Sequence, residues 1–168
     1  MKLHAPIQPC LWFDTQAEEA VKHYIAIFPD SRITHVSHYG AAGQDVHRMA
    51  PGSVMAVQFE VDGQPCIAMN GGPQHRFSEA VSFMVMCDTQ EQIDYYWERL
   101  GEGGDAAARQ CGWLKDKFGL SWQVTPTEIM SLMSGPHSDE VMLAMLAMKK
   151  MDIAGLRAAA RLTSAFVR

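Results

Sequence analysis

LWFDTQAEEAVKHYIAIFPD, residues 11–30, holds two kinds of hydrophobic spacing separated by a polar hinge. Ile7 to Phe13 is short, apolar and aromatic, which suits a first strand. Asp14 or Thr15 can cap a helix, and Glu18 and Glu19 favour the positive end of its dipole. Ala17, Ala20, Val21, Tyr24, Ile25 and Phe28 then recur at helical spacing until Pro29-Asp30 ends the run. The same grammar returns as VSFMVMCDTQEQIDYYWERL at 81–100, with Val81 to Cys87 as strand, Asp88-Thr89 as cap, and Ile93, Tyr96, Trp97 and Leu100 as the helix's apolar side. One strand-helix unit is therefore used twice.

Each helix is followed by further strand-like runs. After the first come Arg32 to Tyr39, Val54 to Val61 and Gln64 to Asn70, the last two joined by the hairpin signal Asp62-Gly63. After the second, Ala106 to Trp113 reads as a strand, KDKFG as a turn, and Leu120 to Val124 as the last strand. This predicts an α+β domain of two βαβββ modules, about 5–72 and 78–126. A helical tail over 127–168 begins with Glu128 to Met133, Asp139 to Met148 and Ile153 to Arg168. One module alone leaves a sheet face uncovered, whereas two can close a curved eight-stranded sheet around a cleft able to receive a small molecule. The loop Gly40 to Ser53, which has no counterpart in the second module, is placed at the mouth of that cleft, where it would set ligand specificity.

The net charge of −5 over 168 residues excludes the concentrated basic face of a nucleic-acid binder. Lys149, Lys150, Arg157, Arg161 and Arg168 against Asp152 make the last twenty residues basic, so the tail is expected to dock on its own acidic body or on a second copy. Cys10, Cys66, Cys87 and Cys111 lack Cys-x-x-Cys spacing and read as buried free thiols in a reducing cytoplasm. MKLHAPIQPC lacks the apolar centre of a signal peptide, and no run approaches the roughly 20 apolar residues of a membrane span, so neither membrane nor nucleic acid is expected as a partner.

Trp12 and Trp113, with Trp122, Phe59 and Phe83, fall on strands that line or back the cleft; Trp12 shares a strand face with Gln8 and Cys10. Alternation puts Trp122 opposite Ser121, Gln123 and Thr125, and its alternative is plain core. His47 and His75 lie in loops near the cleft mouth, and the other histidines read as structural. Cys111 has no His or acid at nucleophile-activating spacing. NGGP, 70–73, is a turn before it is an anion cradle, and LKDKFG, 114–119, is a charged turn. Met142, Met145, Met148 and Met151 recur every three residues as a packing stripe that also suits a second subunit.

LWFDTQAEEAVKHYIAIFPDSRI, NGGP, EAVSFMVMCDTQEQIDYYWERL, CGWLKDKFGLSWQVTPT and AMLAMKKMDIAGLRAA together resemble the PhnB-like branch of the vicinal oxygen chelate superfamily. That superfamily includes glyoxalase I, bleomycin-resistance proteins and extradiol dioxygenases, and the branch carries the label 3-demethylubiquinone-9 3-methyltransferase. The resemblance implies a homodimer, and a site built from Gln8 or Cys10, Asn70 (or Met69), Glu79 or Ser82, and Gln123, beside Trp12 and Trp113. Metal-dependent members place His and Glu there, whereas this chain offers no histidine and has an amide at Gln123. The expectation is therefore a small-molecule-binding protein without a cofactor. The alternatives are a divalent-metal lyase, isomerase or dioxygenase using Glu79 with Gln8, Asn70 and Gln123, the methyltransferase of the label, and a dimer with no ligand. A methyltransferase of the usual kind needs a Gly-rich loop between a parallel strand and a helix, but NGGP runs into QHRF.

Overall fold

The computed structural model describes residues 7–161, and the chain divides into two compact units between Phe77 and Ser78. The first runs β1 (Cys10–Phe13), α1 (Ala17–Ile27), β2 (Arg32–His38), α2 (Gln44–His47), β3 (Val54–Val61) and β4 (Gln64–Asn70). The second runs β5 (Phe83–Cys87), α3 (Gln90–Gly101), a 3-10 turn at Ala106–Ala108, β6 (Trp113–Lys115), β7 (Ser121–Pro126), α4 (Ile129–Met133), α5 (Ser138–Ala147) and α6 (Ile153–Ala159). The expected class, α+β with a strand-helix unit used twice and helices after it, is the class observed.

The strand orders expose the kinship of the units. In the first, β1-β4-β3-β2, β1 is parallel to β4, and β3 is antiparallel to β4 through Asp62 and Gly63, whose φ of 48° and 73° suit a two-residue hairpin turn. In the second, β5-β7-β6, β5 is parallel to β7 and β6 antiparallel to it. The missing counterpart is the edge strand equivalent to β2, so the described residues hold seven strands in sheets of four and three.

That absence corrects the strand expected over Ala106 to Trp113. Three alanines pack poorly on a pleated surface, and the Asp105 carboxylate accepts the Ala107 N–H at 2.8 Å, which starts a 3-10 turn instead. Cys111 and Gly112 then take positive φ (51° and 78°) and donate their N–H groups to the Met148 and Lys149 carbonyls, so the tail fills hydrogen bonds that a strand would have taken.

Each sheet buries one face under its own helix. Leu11, Phe13, Val57, Phe59 and Ala68 meet Ala17, Ala20, Val21 and Tyr24; Leu114, Trp122, Val124 and Cys87 meet Ile93, Trp97 and Leu100. Each fully buried large side chain contributes about 1.5–3 kcal/mol. Trp122 thus belongs to the core face, set edge-on to Phe83 at 5.3 Å, and is not a cleft residue.

The two DTQ segments use different caps. Thr89 and Gln92 form a reciprocal capping box on α3. Neither Asp14 nor Thr15 caps α1; the Ala17 N–H donates at 2.8 Å to the side-chain oxygen of Asn70, across 53 residues of sequence. The basic tail engages its own unit, with Lys150 on Asp94 at 2.6 Å and Arg157 on Glu128 at 2.8 Å. The helix expected over Ile153 to Arg168 is present to Ala159, and residues 162–168 lie outside the described residues, as does His4. Among the described residues no helix is long and apolar enough to cross a membrane.

Candidate functional site

The pleat leaves the opposite face of each sheet open. In the first unit it carries Cys10, Trp12, Met69, Ala56 and Gln58, with Gln8 just ahead of β1. Trp12 donates its indole N–H to the Gly72 carbonyl at 2.8 Å and stands edge-on to His75 at 4.9 Å. Its ring fills the space where a Cβ on Gly71 would sit, only 2.1 Å away, and Gly72 turns with φ 88°. Both glycines of NGGP are thereby accounted for by packing and turning, and the segment leads into no helix, so these residues do not fit the nucleotide cradle of a usual methyltransferase.

Asn70 is buried and fully engaged. Its oxygen caps α1, its amide N–H donates to the Val54 carbonyl at 3.0 Å, and its own carbonyl accepts the Tyr39 hydroxyl at 2.5 Å. The loop 40–53 folds over Tyr39. His47 stacks on that ring at 4.5 Å, accepts the Met49 N–H at Nδ1 and faces the Ala42 carbonyl with Nε2, an arrangement that fits the neutral Nε2–H tautomer. A cavity of about 340 Å³ beneath this loop is lined by Thr15, Glu18, Arg48, Met49, Ser53 and Asn70.

In the second unit the cross-strand register pairs Trp113 with Gln123 and Lys115 with Ser121, and sets Met84 beside Gln123 and Met86 beside Thr125. All seven point to the face opposite Trp122, which is exposed at Met84 and Met86 and covered at Ser121 and Thr125. Gln123 donates its side-chain N–H to Ser82 Oγ at 2.8 Å, and Lys115 is bonded to Glu79, which stands on the turn ahead of β5. A cavity of about 430 Å³ opens here, lined by Glu79, Gln110, Cys111, Trp113, Lys115 and Ser121 among others. Its volume lies in the range of small-ligand sites, about 300–1,000 Å³. The structure thus gathers Glu79, Ser82, Trp113 and Gln123 in one unit, and Gln8, Cys10, Trp12 and Asn70 in the other.

The sequence places Ser121 on a strand face and Asp116 in a charged turn, but marks neither as a buried polar group. Ser121 is wholly buried, and its hydroxyl has no hydrogen-bond partner among the described residues. Leaving such a group unsatisfied costs about 1–3 kcal/mol, which is unusual beside a cavity unless something else meets it. Asp116, expected in a charged surface turn, is buried: its carboxylate accepts the Phe118 and Leu120 N–H groups and the Trp122 indole N–H at 2.8–3.0 Å. It closes the β6-β7 turn and fixes Trp122 in the core. The thiols also divide. Burial pushes Cys66 and Cys87 up to about 11, the latter helped by the charge of Asp88. Cys10 is exposed and Cys111 partly so, against the expectation that all four are buried.

The donor set does not fit a divalent cation. Among the described residues no three His, Cys, Asp or Glu side chains come together. The carboxylate lining the larger cavity, Glu79, is held by the Lys115 ammonium, which would repel a cation, and the pull of that ammonium keeps the Glu79 carboxyl below the usual range.

Similarity to known proteins agrees with the folding pattern. A PhnB protein of Bacillus cereus, carrying the 3-demethylubiquinone-9 3-methyltransferase label, is 31% identical over 73% of this chain and 99% of its own, with a TM-score of 0.61. A protein of Pseudomonas aeruginosa of known structure is 18% identical over 73% and 97%, with a TM-score of 0.57, a likeness of fold. The fosfomycin resistance protein FosX of Listeria monocytogenes aligns at 15% identity over 73% and 91%, with a TM-score of 0.46. No curated protein was found to match the sequence. The family model described as 3-demethylubiquinone-9 3-methyltransferase matches residues 5–125, and with it the chain belongs to that PhnB-like family.

Proposed function

We propose that the protein binds a small organic molecule, without a metal, on the open face of the β5-β7-β6 sheet. The observation that carries this reading is the cavity of about 430 Å³ that combines the ring of Trp113 with the partnerless, buried hydroxyl of Ser121. An aromatic wall supplies contact area, and a few fixed polar groups supply orientation, the usual composition of a ligand site. Gln123, tied to Ser82, lies next along the same face and adds an oriented amide to the hydroxyl.

The metal-dependent alternative rests on Glu79 as its carboxylate, and the ion pair with Lys115 argues against it. Incubation with zinc, nickel, manganese or ferrous iron, followed by desalting and metal analysis, is expected to leave less than about a tenth of an equivalent bound. A stoichiometric metal that survives desalting would overturn the metal-free reading. In parallel, a panel of small aromatic compounds should contain members that raise the melting temperature, because a ligand that binds only the native state stabilises it. S-adenosylmethionine at saturating concentration should not.

The reading includes a homodimer. Leu143 and Leu146 on α5 are 69% and 50% exposed in the single chain, an apolar surface suited to a second copy. Light scattering behind size exclusion should return twice the chain mass, and a monomer at all concentrations would remove this part of the proposal.

A further inference from the structure

The inference rests on the ligand site just proposed and names the chemistry it selects. Lys115 and Ser121 are directly opposed across the β6-β7 pair, so the two side chains leave the same face of the sheet, and both residues line the cavity. The next pair along that face, about 7 Å away at two residues of strand rise, is Trp113 and Gln123. The cavity therefore has a cationic, hydrogen-bonding end and an aromatic end. The carboxylate now bonded to Lys115 does not come from the sheet: it is Glu79, on the turn ahead of β5, whose side chain is 64% exposed while that of Lys115 is 25% exposed. The hydroxyl of the opposed residue, Ser121 Oγ, has no hydrogen-bond partner among the described residues.

We infer that this end of the cavity is a carboxylate subsite, that its ligand is a small arylcarboxylate, and that Glu79 is the internal counter-ion the ligand displaces. The ligand carboxylate takes one charge-assisted hydrogen bond from Lys115 Nζ and one from the Ser121 hydroxyl, while its ring lies against Trp113. Two features make the exchange favourable. The outgoing ion pair is between a mostly exposed Glu79 and Lys115, so little is lost in releasing it to water. The incoming carboxylate gives the buried Ser121 hydroxyl its missing acceptor, a gain that Glu79 does not provide. The spacing selects the ligand's shape, since a carboxylate about 7 Å from the centre of the aromatic end calls for an arylalkanoic acid or a similarly long aryl acid.

Calorimetric titration of the full chain with 4-phenylbutyrate and with its neutral counterpart 4-phenylbutanamide tests this. The acid should bind at least about tenfold tighter than the amide, the worth of a hydrogen bond to a charged group. Glu79→Gln should tighten the acid several-fold and leave the amide unchanged. Ser121→Ala and Lys115→Met should each weaken the acid about tenfold and hardly affect the amide. Because Glu79 is on an exposed turn, its variant keeps the test decisive even if Lys115→Met folds poorly. Equal binding of acid and amide, with no response to Glu79→Gln, would overturn the carboxylate subsite and leave the ligand-site reading intact. If neither probe binds any variant, the subsite falls; if no member of the aromatic panel stabilises the protein either, the ligand-site reading falls too.

Discussion

Asn70→Ala separates a structural role from a binding one at a residue that the family resemblance places in the site. The Asn70 oxygen is the side-chain cap of α1, accepting the N–H of Ala17 at 2.8 Å, and both residues are buried. Truncation strands that donor where water does not replace the bond, which costs about 1–3 kcal/mol. Loss of the second bond, from the amide to the Val54 carbonyl at 3.0 Å, adds about 0.5–1.5 kcal/mol. The expected destabilisation is about 2–4 kcal/mol, and it acts on the first unit. Thr89→Ala removes the analogous cap of α3 at an exposed residue and should cost only about 1 kcal/mol. Urea unfolding followed by circular dichroism reads both, and because the chain has two compact units the curves should be fitted with two transitions where two are visible. Asn70→Asp retains the cap acceptor and complements the helix dipole but sets an oxygen against the Val54 carbonyl, so its cost should fall between wild type and Asn70→Ala. The reasoning is refuted if Asn70→Ala changes stability by less than about 0.5 kcal/mol, within ordinary surface variation, while abolishing ligand binding.

Gly104→Ala would place a Cβ 2.0 Å from the Lys115 carbonyl oxygen, a backbone atom that cannot rotate aside, so it should destabilise by about 1–3 kcal/mol and weaken ligand binding through β6; unchanged melting would contradict that packing. Trp122→Phe removes a buried hydrogen bond to the Asp116 carboxylate and should lower stability by about 1–3 kcal/mol in urea titration without altering ligand affinity. With iodoacetamide at pH 8, Cys10 and Cys111 should react in the native protein, while Cys66 and Cys87, about 11, hold about one thiolate in a thousand and react on unfolding; four equal native rates would be inconsistent with their burial. Asp94 is held below the ordinary aspartate range first by Lys150 and then by Gln90, so the stability it contributes is present above that range and is lost as pH falls through its lowered value. Lys150→Met should therefore cost a few tenths of a kcal/mol at neutral pH, small because Asp94 is 43% exposed, and nothing once Asp94 is protonated; a loss independent of pH would refute this.

The repeat was legible because strand and helix periods alternate cleanly on either side of each DTQ, and the Asp62-Gly63 turn announces its hairpin. What the repeat concealed is that equal residues need not do equal work. In one copy Thr89 caps, whereas in the other the cap arrives from Asn70 at the far end of β4, a contact no local pattern contains. Asp105 before three alanines was a readable cap signal, and the strand expected there gave it too little weight. Asp116 looked like surface because its neighbours are lysines; its burial follows from the turn bringing it under the Trp122 indole. The pairing of Trp113 with Gln123 follows from the β6-β7 register once that hairpin is known, and it joins two residues proposed from different arguments. Ser121 could not be singled out, since a serine beside a core tryptophan has no sequence mark showing that its hydroxyl lacks a partner.

The central claim, a metal-free organic ligand on the open face of the β5-β7-β6 sheet, is tested most directly by a crystal structure with the most stabilising compound of the aromatic panel. The account predicts the compound against Trp113, with a polar group within hydrogen-bond distance of Ser121 Oγ and no metal between ligand and protein. A compound seated instead in the cavity beneath Arg48 and Met49, or bridged to Glu79 through a metal ion, would contradict it.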